Sequence, residues 1–416
     1  MAKKYNKRIV RGRHKFFVWL ALRLIAPFIK LKTGFRAKSI KKKPKTPYIV
    51  VSNHVTAFDP ILVSMSLREQ VYYIASELIF SKGFISRVLE YTFSPIPKAK
   101  SQADFGAVKQ IIKVVREGGN VGIFVEGNST MNGAISNIPT SIGKLVLLLK
   151  IPLVIFNFKG GYLSNPRWSR KKRKRYNTGY VKEIISYEDY KDLSAEEINN
   201  RIIKGIDVNA YVDRLDFAYK GKKIAEGLER LIFTCPSCHE PNRIKTDGNM
   251  YNCSNCGFKM TYDEYGYCYS SEFKDAKDTV VLDKENKLAY QSYILNNPDY
   301  SFSVIGKWFE IMQRHRKTFG KAKLTFNQKG IAVCYNNRKI EDKFYPLDKL
   351  DTIAMQQKEM VIIYIKDEET KGFLLDKDSH ISAYQFVVTC QIFKNIDKFK
   401  KNKQIPLALA AEEMGL

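Results

Sequence analysis

Tyr48-Ile49-Val50-Val51-Ser52-Asn53-His54-Val55-Thr56-Ala57-Phe58-Asp59-Pro60 is the stretch from which the fold is read. The apolar run at its start has the character of a buried strand end, and Pro60 suits the first turn of a helix. The turn between them carries a histidine and an aspartate separated by four residues. A carboxylate that accepts one imidazole N–H fixes the tautomer and makes the other ring nitrogen a better proton acceptor. Such a pair can deprotonate a hydroxyl group. The same residues admit a plainer reading, in which Asp59 caps a helix beginning at Pro60 and His54 is a polar loop residue.

Outward from this turn, short apolar runs alternate with helical patterns from Thr46 to about Ile185. Strands are expected at Tyr48–Val51, Val71–Ala75, Val121–Val125, Leu153–Phe158 and Tyr180–Ile185. Helices are expected at Pro60–Leu67, Lys82–Tyr91, Asp104–Glu117 and Ser141–Leu149. This alternation predicts an α/β layer with a largely parallel sheet.

The chain has 416 residues, more than one core accommodates, so several domains are expected. Lysine and arginine total 70 against 42 acidic residues, a net charge of +28, which calls for a polyanionic partner. No acidic residue precedes Asp59, and basic residues surround the apolar run Phe16–Ile29. Fourteen residues interrupted by Arg23 and Pro27 fall short of the roughly 20 that span a bilayer. No small-residue cleavage site follows, which argues against a secretory signal. The expectation is a basic amphipathic helix lying in an anionic membrane interface, on the cytoplasmic face; a helix packed on protein would show the same periodicity.

A basic block at 167–175, Arg167-Trp168-Ser169-Arg170-Lys171-Lys172-Arg173-Lys174-Arg175, reads as a solvated arm facing the same anionic layer. Residues 194–231 read as a helical linker opened by Ser194-Ala195-Glu196-Glu197. Cys235, Cys238, Cys253 and Cys256 then form two C-x2-C pairs with fourteen residues between them. That spacing predicts four thiolates closing a tetrahedral, structural zinc site in a reducing compartment. The ribbon gripping nucleic acid or protein is the lesser alternative. His239 is surplus to the ligand set, and Cys268, Cys334 and Cys390 read as buried small hydrophobes. Farther on, strands are expected at Thr279–Leu282, Lys323–Phe326, Gly330–Tyr335, Met360–Ile365 and Gly372–Leu375, then a helix at Ala383–Phe393. Several short strands with one closing helix suggest a small barrel or sandwich, similar in arrangement to a pleckstrin-homology domain. The expected layout is an interfacial segment at 1–45, the α/β domain at 46–193, the linker at 194–231, the zinc ribbon at 232–262, a β-rich domain at 263–400 and a tail at 401–416.

Three further segments join the His54/Asp59 turn: Ser94-Pro95-Ile96-Pro97-Lys98-Ala99-Lys100, Phe124-Val125-Glu126-Gly127-Asn128-Ser129, and the proline-led strand Ile151-Pro152-Leu153-Val154-Ile155. In this order they resemble the blocks of the glycerolipid acyltransferase family, of which lysophosphatidic acid acyltransferases are familiar members. The resemblance covers roughly residues 45–185. The N-H-x4-D block matches at Asn53, His54, Asp59 and Pro60, and the F-P-E-G-T block matches at Phe124, Glu126 and Gly127. Ser94 stands where the second block has glycine, Lys100 or Lys98 where it has arginine, Val125 for proline and Asn128 for threonine. Lysine keeps the charge but loses the bidentate fork toward phosphate.

The resemblance implies an enzyme that moves a fatty acyl group from a thioester, acyl-CoA or acyl-carrier protein, to the hydroxyl of lysophosphatidic acid. His54 would be the base and Asp59 its orienting partner. Asn53, Lys98, Lys100, Glu126, Gly127 and Asn128 would bind substrate, with Lys98 and Lys100 on the acceptor phosphate. No catalytic cofactor is expected, no G-x-S-x-G elbow supplies a serine nucleophile, and the polyanionic partner is then a lipid surface rather than nucleic acid. Two other readings stay open: acyl transfer to another lysolipid or a glycolipid, and a catalytically inactive lipid- or nucleic-acid-binding adaptor.

Overall fold

The computed structural model describes residues 8–38, 40, 43–44, 47–98, 105–135, 138–171, 173–312, 315–337, 339–377 and 379–401. Its first unit opens with helices α1 (Gly12–Leu24) and α2 (Ala26–Thr33) and strand β1 (Phe35–Ala37). The single amphipathic helix expected over Phe16–Ile29 is thus two, broken at Ile25, with Pro27 in the first turn of α2. The unit continues through β2 (Ile49–Ser52), α3 (Asp59–Leu67), β3 (Val71–Ser76), α4 (Glu77–Phe80), α5 (Phe84–Thr92), β4 (Ile96–Lys98), α6 (Phe105–Arg116) and β5 (Asn120–Phe124). It ends with α7 (Ser141–Leu149), β6 (Leu153–Lys159), α8 (Gly161–Ser164), β7 (Asn177–Ile185) and α9 (Ala195–Ile206).

The seven strands form one sheet in the order β1-β7-β6-β2-β5-β3-β4. β6, β2, β5, β3 and β4 run parallel to one another, while β7 is antiparallel to β6. Both faces of β2 are covered. Ile49 and Val51 join Ile111, Val114, Val146, Ile198 and Ile202 on one side, and Val50 joins Leu62, Val63 and Phe156 on the other. Helices on both faces of a parallel sheet explain why these strands read as continuous apolar runs. The parallel strands deliver their carboxyl ends to one edge, where open α/β sheets bind ligands.

α9 starts with a full capping box, Ser194 and Glu197 exchanging side-chain-to-backbone bonds, and packs its Ile198/Ile202/Ile206 stripe into the first unit's core. Among the described residues, the first unit comprises those up to 165 and 174–219, and the second comprises 166–173 and 220–401.

Within the second unit, β8 (Ile244–Asp247), β9 (Met250–Cys253), β10 (Lys259–Tyr262) and β11 (Cys268–Tyr269) form a four-stranded antiparallel sheet. Helix α10 (Thr279–Asn296) follows, correcting the strand expected at Thr279–Leu282. Asp278 accepts from the backbone N–H groups of Val280 and Val281, a cap that starts a helix despite the β-branched residues. Then β12 (Phe302–Met312), β13 (His315–Asn327), β14 (Gly330–Tyr335), β15 (Lys343–Pro346), β16 (Leu350–Gln356), β17 (Met360–Ile365) and β18 (Thr370–Leu375) make an antiparallel sheet in the order β15-β14-β13-β12-β18-β17-β16. α11 (Ala383–Lys394) and α12 (Ile396–Lys401) complete the described chain.

Residues 167–171 and 173 of the block expected as a solvated arm are instead anchored in this unit. Trp168 and Ser169 are wholly buried, and Arg173 is nearly so. Arg173 donates to the Tyr262 hydroxyl at 2.9 Å and the Ile224 carbonyl at 2.8 Å, and Arg167 donates to the Met355 carbonyl at 2.8 Å. Arg170 pairs with Glu229 and Lys171 with Glu226. Charge runs are usually solvated, but an interleaved tryptophan and available acids allow burial with pairing.

Candidate functional site

His54 and Asp59 face each other across the turn between β2 and α3. His54 Nδ1 lies 2.8 Å from Asp59 Oδ2. Asp59 is fully buried, and the His54 side chain is about one-fifth exposed. The carboxylate accepts three more bonds: from the Val55 N–H at 2.6 Å, the Thr56 N–H at 2.9 Å and the Thr56 hydroxyl at 2.6 Å. An acceptor so surrounded requires the Nδ1–H tautomer of neutral His54, which leaves the Nε2 lone pair available. The capping alternative does not hold. Phe58 is the N-cap and makes no side-chain cap, and Asp59 is itself the first helical residue, its carboxylate turned back to the preceding turn.

The carboxyl end of β5 fixes His54 from the other side. The Glu126 carboxylate accepts the His54 backbone N–H at 2.7 Å, and the Thr130 N–H donates to the His54 carbonyl at 3.0 Å. Gly127 takes φ +67° in the turn between them, where its N–H bonds the Phe124 carbonyl, so this block's glycine serves a left-handed turn. The imidazole stacks on Phe124, centroids 4.5 Å apart at 27°. Thr56 and Thr130 were not anticipated from the sequence. A threonine three residues before a buried aspartate is the signal that could have identified the first; nothing local marks the second.

Asn53 was expected to contact substrate. Its carboxamide instead donates to the Phe158 carbonyl at 3.1 Å and accepts the Phe158 N–H at 2.8 Å, bracketing β2 to β6. It still borders a recess beside the pair, along with Val55, Glu126, Thr130, Gly161 and Tyr162. Asn128 lies in the turn after Glu126 and carries polar interactions of its own.

Lys98 ends β4 with an exposed side chain at the same sheet edge. β5 and β3 intervene between β2 and β4, so Lys98 is offset laterally by three strand spacings, about 14 Å. Lys100 lies outside the described residues. Ser94 has φ +46°: the position is left-handed, a conformation glycine adopts freely, and serine occupies it at a conformational cost.

In the second unit the four Sγ atoms of Cys235, Cys238, Cys253 and Cys256 all lie within 4.8 Å of one another. The Cys235–Cys256 and Cys238–Cys253 sulfur separations are 3.7 and 3.8 Å. A tetrahedron with metal–sulfur bonds of about 2.3 Å has edges of about 3.8 Å, so the donor set fits one metal ion. The Asn255 backbone N–H points at Cys253 Sγ, and its side-chain amide at Cys238 Sγ. Four thiolates leave no open coordination position, so such a site is structural. The nearly buried Cys268 and Cys390 lie outside it, as expected of small hydrophobes, whereas Cys334 is exposed on β14.

Residues 35–158 match the family model described as Acyltransferase. This segment contains the His54/Asp59 turn and the Phe124–Gly127 block on which the sequence resembles glycerolipid acyltransferases, and it makes the protein an acyltransferase. No curated protein matches the chain. Among solved structures, similarity is found to the 1-acyl-sn-glycerophosphate (LPA) acyltransferase PlsC from Thermotoga maritima, at 15% identity over 48% of this chain and 83% of that one, TM-score 0.40. The N-terminal PH domain of human ARAP2 is similar at 15% identity over 25% of this chain and 85% of that one, TM-score 0.18. At these scores the structural likenesses carry no functional weight.

Proposed function

From an acyltransferase domain at residues 35–158, we propose that the protein transfers a fatty acyl group from acyl-CoA or acyl-carrier protein to the hydroxyl of lysophosphatidic acid, giving phosphatidic acid. The observation that carries this reading is the single buried carboxylate on His54 Nδ1, which leaves Nε2 as a base at the carboxyl edge of the sheet. His54 Nε2 takes the proton of the acceptor hydroxyl as its oxygen attacks the thioester carbonyl. The C–O bond forms, the C–S bond breaks, and the imidazolium returns the proton to the departing thiolate. Asp59 orients the ring and stabilises its charged form. Glu126 and Gly127 hold the base's backbone beside the recess, and Lys98 with Lys100 supplies positive charge for the acceptor phosphate.

A bilayer substrate is supported by the apolar side chains that the N-terminal helices leave in solvent: Phe16, Trp19, Leu24, Phe28 and Leu31, with Phe84 of α5. Among the described residues no helix is long and apolar enough to cross a membrane. We therefore read the protein as peripheral, seated on anionic lipid with the basic residues of its N-terminal segment, on the cytoplasmic face. The metal is zinc, which four thiolates favour. The pleckstrin-homology-like reading of the β-rich region is supported by its seven-stranded antiparallel order and by α11, which follows the last strand. Vesicles containing lysophosphatidic acid, mixed with the protein and an acyl thioester, should yield phosphatidic acid; yield from another lysolipid alone would reassign the acceptor.

A further inference from the structure

Gly122 occupies the middle of β5, buried between β2 and β3. A glycine inside a central strand forgoes packing and weakens the strand, and it often marks a close approach by another group. Here the approaching group is Tyr73, its register partner on β3. A Cβ on residue 122 would lie 2.3 and 2.5 Å from two carbons of the Tyr73 ring. The tyrosine ring therefore lies across the space that a side chain at 122 would fill.

From that seat Tyr73 stacks on Phe124, centroids 5.5 Å apart at 15°. Phe124 is two residues beyond Gly122 on the same face of β5, and its ring in turn stacks on His54 at 4.5 Å and 27°. Three rings form a column that ends on the imidazole. The bond to Asp59 fixes where Nδ1 lies but leaves the ring free to swing about that contact. A ring face against Phe124 fixes the plane, and Phe124 keeps its own plane because Tyr73 backs it. Burial, reinforced by the nearby Asp59 carboxylate, pushes the Tyr73 phenol well above its usual range, so Tyr73 itself stays uncharged.

We propose that Tyr73, seated over Gly122, is a positioning residue that sets the plane of the His54 imidazole through Phe124. The proposal rests on the reading of His54 as the base. It assigns roles to two residues outside the matched blocks and explains why a buried central strand carries a glycine.

The test uses the full chain labelled with ¹³C,¹⁵N-histidine, with His54→Ala to assign the His54 ring resonances. Tyr73→Leu and Gly122→Ala each disrupt the column without altering His54, Phe124 or Asp59; Tyr73→Phe keeps the ring. Thermal melts establish which variants are folded. In folded Tyr73→Leu and Gly122→Ala, the His54 ring-proton signals should leave their ring-current-shifted positions. With vesicle-borne lysophosphatidic acid, kcat should fall roughly 10- to 100-fold with KM little changed, the scale expected of a misplaced base. Tyr73→Phe should keep both properties. His54 signals unmoved in folded Tyr73→Leu, or Tyr73→Phe as deficient as Tyr73→Leu, would overturn the proposal. The spectra decide this even if the wild-type protein transfers no acyl group, an outcome that would count against the acyltransferase mechanism and not against the column.

Discussion

Asp59 Oδ2 sits 2.8 Å from His54 Nδ1 while the same oxygen accepts the Val55 and Thr56 backbone N–H groups. With the Thr56 hydroxyl on Oδ1, four donors converge on one buried carboxylate. An amide at position 59 presents one acceptor oxygen and an NH2 group, so it cannot accept from all four. Asp59→Asn should leave either Thr56 or His54 without its acceptor and release the imidazole tautomer. The expected loss in acyl-transfer rate is about 10²-fold or more, within the range of general-base assistance, in a protein whose circular dichroism still reports the native fold. An unimpaired, folded Asp59→Asn variant would refute the orienting role.

Ser94 holds a left-handed backbone with φ +46°. A β-branched side chain is a steric outlier there, and the left-handed region costs ordinary residues roughly 1–2 kcal/mol. Ser94→Val should therefore melt several degrees below Ser94→Gly, given about 2–4 °C per kcal/mol for a domain of this size. Equal melting temperatures would show that the turn relaxes.

The four-cysteine cluster should bind about one zinc per chain. Elemental analysis under reducing conditions checks the stoichiometry. Chelation, or Cys253→Ser, should lower the second unit's thermal transition, because metal binding supplies folding free energy to such small modules. Metal-free protein melting like the untreated protein would contradict a structural role.

His14, buried on α1, bonds the Tyr72 hydroxyl at 3.0 Å. Burial foremost, then the charges of Arg13 and Arg11, lowers its pKa from 6.5 to about 4. The folded value lies below the unfolded one, so between these pH values the unfolded chain binds the extra proton. Stability attributable to His14 is present above pH 6.5 and is lost as pH falls toward 4. His14→Gln should flatten the pH dependence of denaturant midpoints across that window; an unchanged slope would remove His14 as its source.

Much of this was legible in the sequence because the signals were local. Strands such as Tyr48–Val51 and Leu153–Phe158 are apolar on both faces, as strands of a covered parallel sheet must be, and the cysteine spacing specifies its own geometry. What escaped depends on partners distant in sequence. The 167–175 block looks like a solvated charge run until Tyr262, Ile224 and Glu229 are brought to it. Asn53 looks like a substrate ligand until Phe158, 105 residues away, takes both ends of its amide. Thr130 meets the His54 carbonyl only because β5 lies beside β2. The strand expected at Thr279–Leu282 failed because β-branched propensity was outweighed by the Asp278 cap.

The central claim is that His54 Nε2 is the base of an acyl transfer. The most direct measurement is the initial rate of phosphatidic acid formation from an acyl thioester and vesicle-borne lysophosphatidic acid, compared between the wild-type protein and folded His54→Ala. The account predicts a measurable wild-type rate and a loss of about 10²–10⁴-fold in the variant. Equal rates in the two proteins would contradict it.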